Sequence, residues 1–249
     1  MNIRAVAASL LLGIVGNFVA AAVLSFNQTS VPVAVIAFAA AAVMAILLGY
    51  LVFRLNVLRT IGIRNWEVSI TSGTSTRDCI VRSQNGLDFL GIAASKWNRE
   101  AQHLRKMLVR HASNGGRARF LLLNPDGEVC RHFETIKNVP TGSVSAAIKE
   151  NVVQLQRLAD EGLPVQVRFY DSSPHFRIVV IDNNLLILGI YSYLTDSGED
   201  TPQLLLDGTP RAWSFYYSYT SYFEKLWNAA MPVVDKSVPK ASLIQTAGT

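Results

Sequence analysis

The sequence predicts an α/β domain with a mixed sheet, carried behind two N-terminal transmembrane helices. Three observations point there: two long uncharged apolar runs within the first 60 residues, a later alternation of short apolar runs with segments of helical period, and two apolar strands split by Asp182-Asn183-Asn184. Half of the 249 residues are hydrophobic and the formal net charge is +5, a composition greasier than that of an ordinary soluble protein this long.

The first apolar run, Ala5 to Phe26, contains one amide, Asn17, and no charge, and it is long enough to cross a ~30 Å hydrocarbon core as a helix. A cleaved leader starting at Arg4 is the competing reading. After the uncharged link NQTSVP a second run extends from Val33 to Phe53 and ends at Arg54. Arg4 lies before the pair, and Arg54, Arg59 and Arg64 follow it, which places both termini and the remaining chain on the cytoplasmic side of an inner (cytoplasmic) membrane. Ser9, Gly13, Asn17 and Ala21 recur every fourth residue and form a stripe of small, weakly polar side chains. Such a stripe permits close helix packing, within one chain or in an oligomer where it lines a central path. The organisation expected is a transmembrane hairpin over 1–60, a globular domain over 61–233 and a disordered tail over 234–249.

Within the domain, Ser75–Ser83 reads as a short helix and Leu87–Ser95 as a buried strand. Trp97, Ala101, Leu104 and Leu108 give one helix from Lys96 to Ala112, ended by Asn114-Gly115-Gly116. The run 118–125, ARFLLLNP, is a strand closed by Pro125; Val144, Ile148, Val152, Leu155 and Leu158 mark a helix over 143–161, stopped at Gly162. VQVRFY, the two halves of PHFRIVVIDNNLLILG, and QLLLDG supply further strands, and Ser214 to Ala230 a closing aromatic helix. Cys79 and Cys130 fall in the inward domain and are expected as free thiols. Cys130-x-His132 is an isolated pair, so no metal is expected, and no cofactor motif is present.

Seven cations, Lys96, Arg99, Arg105, Lys106, Arg110, Arg117 and Arg119, stand against Glu100 alone between positions 96 and 119. This basic stretch suits either membrane lipid with anionic headgroups or a groove for a polyanion.

His175-x-Arg177-x4-Asp182 resembles the HxK(x)4D signature of the phospholipase D superfamily, with arginine in the lysine position. The order of elements from about Ser75 to Trp227 is similar to phospholipase D-like domains. The resemblance implies a phosphohistidine mechanism in members that catalyse, with two motifs brought together; this chain has one, so a homodimer would supply the second. On that alternative His175 and Asp182 are catalytic, in a membrane-anchored phosphodiesterase acting on nucleic acid or phospholipid. Here Gly189 is followed by Ile190-Tyr191-Ser192 where the family continues with Gly-Ser and an asparagine. An arginine fork is suited to binding phosphate. The first reading is therefore a non-catalytic site formed by His175, Arg177, Lys96, Arg99, Arg105, Arg117 and Arg119 for a nucleotide or oligonucleotide. The layout of membrane helices before such a domain is similar to effectors of nucleotide-signalled bacterial anti-phage defence. That implies a homo-oligomer such as a tetramer, working as a ligand-gated channel or pore.

Overall fold

The computed structural model describes residues 31–69, 72–191, 201–208 and 214–233, together with Gly13, Gly16, Asn17 and Ala20. The chain divides into two compact units, 1–60 and 61–249. Ser9, Ala21 and the tail beyond 233 lie outside the described residues; Gly13 and Asn17 are helical and exposed.

In the first unit, α1 runs over Val31–Thr60. Thirty residues make a helix of about 45 Å. The span Ala39–Leu58 is long and apolar enough to cross a membrane, and most of its large side chains, among them Ile46, Leu47, Tyr50 and Phe53, are exposed. The helix does not stop at Arg54: Arg54 Nε donates to the Tyr50 hydroxyl one turn back at 2.8 Å, and Leu55 to Leu58 continue the apolar pattern. One apolar spanning helix is thus found among the described residues, where two were expected.

The second unit is built on an eight-stranded mixed sheet in the order β1-β7-β6-β5-β2-β3-β4-β8. Its strands are β1 (Ile63–Glu67), β2 (Gly86–Gly91), β3 (Arg117–Leu123), β4 (Val165–Tyr170), β5 (Phe176–Ile181), β6 (Leu185–Ile190), β7 (Gln203–Asp207) and β8 (Met231–Pro232). β2, β3 and β4 are parallel, and the other neighbours are antiparallel. Parallel neighbours need long crossovers. These are α3 (Ser95–Arg99) with α4 (Ala101–Ser113), and α5 (Glu128–Ile136) with α6 (Ser143–Asp160). Phe120, Leu121, Leu122 and Leu123 of β3 are wholly buried, as expected of a strand covered on both faces. On one face Trp97 of α3 meets the rings of Phe89 and Phe120 edge-on. On the other, α7 (Phe215–Ala229) brings Tyr219 and Tyr222 to Phe176.

α2 (Thr76–Arg82) begins at a reciprocal cap, Ser75 bonding the Asp78 amide while the Asp78 carboxylate accepts from the Ser75 amide. The single helix expected over 96–112 is two. Glu100, at φ −98 and ψ 29, breaks it where Trp97 is buried and Asn98 Nδ2 donates to Asn151 Oδ1 at 2.5 Å. Those contacts aim α3 at a different part of the core from the Leu104, Met107 and Leu108 stripe of α4.

Candidate functional site

The strand registers build the site. Arg177 on β5 stands opposite Gly189 on β6, Gly189 opposite Gln203 on β7, and Gln203 opposite Glu67 on β1. Directly opposed residues share a sheet face, so these four form one cross-strand row. With only hydrogen at Gly189, the Arg177 side chain can lie across β6; a Cβ there would stand 3.3 Å from both Nε and Nη2. The guanidinium reaches Gln203, Nη2 donating to Oε1 at 2.7 Å. The Gln203 amide nitrogen donates to the Glu67 carboxylate and to the Thr74 carbonyl at 3.1 Å. Glu67 in turn accepts from the Thr74 amide at 2.7 Å and the Thr74 hydroxyl at 2.9 Å.

Above this row lies a cavity of about 180 Å³. Arg177, Gln203, Gly189 and Tyr191 line it from the sheet side, Lys96 and Arg99 from α3, and Thr74, Thr76 and Cys79 from the α2 side. Three cations and no carboxylate occur among these lining residues. Arg177 Nε is shielded from solvent and has no hydrogen-bond partner among the described residues. Burial lowers the proton affinity of the guanidinium, with Tyr191 and Cys79 offsetting this in part. Burial also pushes the Cys79 thiol up to about 12, which keeps it neutral and a poor nucleophile. Asn151 fixes the α3 wall: its Nδ2 donates to the Ala93 carbonyl at 2.6 Å and to Ser95 Oγ at 2.9 Å. Between those two residues, Ala94 is held at φ 57.

A family model described as a domain of unknown function, DUF5919, matches residues 61–234. The chain belongs to the DUF5919 family. No curated protein matches the sequence. Similar solved structures include the archaeal chromatin protein TrmBL2, described as showing a novel mode of DNA binding, at TM-score 0.45 and 12% identity over 77% of this chain and 66% of that one. Nuc from Salmonella typhimurium, a phospholipase D family member, aligns at TM-score 0.40 and 14% identity over 64% of this chain and 88% of its own. Phosphatidylserine synthase from Haemophilus influenzae aligns at 0.41 and 14% over 66% and 37% respectively.

The DUF5919 domain gathers only part of the expected constellation. Arg177, Lys96 and Arg99 share the cavity. His175 precedes β5, its ring exposed with its centroid 6.2 Å from that of Phe176, and it is not among the cavity's lining residues. Asp182 follows β5, and six strand residues put it roughly 20 Å from His175. It opens a tight turn with Asn183, at φ 50 and 52, and its carboxylate accepts from the amides of Gln84, Asn85 and Gly86 at 2.7–3.1 Å. That is the work of a structural anchor rather than of a partner to His175.

The remaining cations are placed elsewhere. Arg119 lies on the opposite sheet face, buried. It donates to Asp88 at 2.6 and 2.7 Å and to Glu224 of α7 at 3.1 and 2.5 Å, beneath the rings of Phe223 and Trp227. Its charge is already compensated, so it does not join Arg177. Arg117 is exposed at the start of β3, and Arg105 is paired with Glu161 at 2.8 Å. Sequence reasoning missed Gly189, Gln203, Glu67 and Asn151. Gly189 carried a signal in hindsight, since it interrupts an otherwise apolar strand.

Proposed function

We propose that this chain is an oligomeric membrane effector whose DUF5919 domain binds a phosphate-bearing ligand, a nucleotide or oligonucleotide, in the cavity over Arg177. The observation that carries the reading is the Arg177 guanidinium, set in a cavity with no carboxylate partner among the described residues and with Nε unused. A buried cation left uncompensated is costly, and an oxyanion would remove that cost while using the planar donor fork. Lys96 and Arg99 line the same space. The domain acts as a binding module rather than an enzyme, because Asp182 is committed to the 84–86 turn and the Cys79 thiol is neutral. Ligand binding shifts the population of membrane-helix arrangements, in two transmembrane helices per chain, and so opens or closes a path for ions. The layout fits an effector of nucleotide-signalled defence at the cytoplasmic membrane.

Native mass spectrometry of the detergent-released protein tests this. A closed oligomer carrying a nucleotide or oligonucleotide mass, lost in Arg177→Gln, supports the reading; a bare protein whose Arg177→Gln form binds added nucleotide like the wild type removes it. A second reading rests on the exposure of His175, which leaves its ring accessible to a second copy. A homodimeric phosphodiesterase would then lose all turnover in His175→Ala.

A further inference from the structure

We infer that Gln203 is the specificity-determining residue of the cavity: it withholds the carboxylate of its own row, Glu67, from Arg177, and so reserves the guanidinium charge for a phosphate group. This rests on reading the cavity as a phosphate site. The argument is one of donors and acceptors. A guanidinium only donates and a carboxylate only accepts, so a residue joining them must offer both an acceptor and a donor, which an amide does without carrying charge. Gln203 turns its oxygen to Arg177 Nη2 at 2.7 Å and its nitrogen to Glu67 and to the Thr74 carbonyl. The hydrogen bonds run unbroken from Arg177 to Glu67, but the Gln203 amide stands between them, so the guanidinium and the carboxylate make no direct ion pair. Glu67 is committed locally as well, to the amide and hydroxyl of Thr74, which itself lines the cavity.

A glutamate at 203 would pair with Arg177 directly and fill the role left to a ligand. The neutral amide instead leaves the guanidinium without a direct carboxylate partner, and Nε without a hydrogen bond, among the described residues. An internal ion pair of that kind competes with any incoming oxyanion for the same fork.

Exchanging the two side chains tests the inference, because the Glu67→Gln, Gln203→Glu double variant keeps composition and net charge. Binding of inorganic phosphate to the full-length protein in detergent is measured by calorimetry at fixed ionic strength. The exchange variant is expected to bind at least about tenfold more weakly than the wild type, and Glu67→Gln alone equally well or more tightly. An exchange variant that binds like the wild type overturns the role of Gln203. In that case, loss of binding in Arg177→Gln leaves the phosphate site standing. Undiminished binding in Arg177→Gln, or none in the wild type, removes the site itself. Should the exchange variant not fold, Glu67→Gln decides: a tenfold loss there would contradict the inference, since removing the row's charge would then weaken binding.

Discussion

His175 and Asp182 stand at opposite ends of β5, one exposed before the strand and the other locked into the turn after it. The spacing that brings them to mind as a pair is the spacing that separates them. In an extended chain seven positions are a strand length, and of the three motif residues Arg177, two positions beyond His175, is the one that lines the cavity.

Asp182→Asn should therefore act on stability. It weakens the acceptor set held by three consecutive amides, and about 1–3 kcal/mol of unfolding free energy is the expected loss. Urea denaturation measures this, with phosphate affinity unchanged in the folded protein.

Arg177→Met should melt at or above the wild-type temperature in phosphate-free buffer, because an uncompensated buried cation has been removed. Adding phosphate should raise the wild-type melting temperature and leave the variant's where it was. A thermal-shift titration shows both.

Gly189→Ala places a methyl group 3.3 Å from Arg177 Nε and Nη2, on the side where the guanidinium lies. The side chain must lift away, so phosphate affinity should fall several-fold while the melting temperature changes little. Calorimetry against the wild type checks the first, and a thermal scan the second.

Arg119→Met should be among the most damaging single changes. It strands the Asp88 carboxylate in the core and strips the cation from the faces of Phe223 and Trp227, an expected loss of about 3–5 kcal/mol. Equilibrium unfolding measures it. Arg119→Lys should recover part of the loss, since a point charge cannot make both forked contacts.

Glu134 supplies a pH dependence. Burial raises its carboxyl pKa, but the amides of Gly142, Val144 and Ser145 at the start of α6 outweigh burial and hold the pKa below the ordinary carboxylate value. A depressed folded pKa contributes stability that is present above the unfolded pKa and lost as pH falls through the folded one. Acid melts of the wild type should thus lose stability below about pH 4.3, and Glu134→Gln should show a shallower dependence over that window.

The central strands and the long amphipathic helices were legible because burial imposes periodicity on them; β3 and α6 are examples. Edge strands were not: β1 reads IRNWE, with its three middle residues exposed and no alternation to see. α5 was hidden in a nine-residue segment that mixes charge and apolar residues. In the site, Arg119 and Arg177 are alike in sequence, each a cation within an apolar strand. What divides them is that α7 brings Glu224 to one sheet face while the other presents a neutral amide. That distinction depends on pairings between distant strands, which residue spacing along the chain does not reveal.

β1 carries one further consequence. Its partner is β7, and 143 positions separate Arg64 from Asp207, the ion pair that joins the two strands. At about 5–20 residues per second, a ribosome needs roughly 7–30 s to make the second strand after the first. For that interval the nascent chain presents Trp66 and an open backbone edge with nothing of its own to zip to. Synthesis therefore includes a window of vulnerability that ends when β7 emerges.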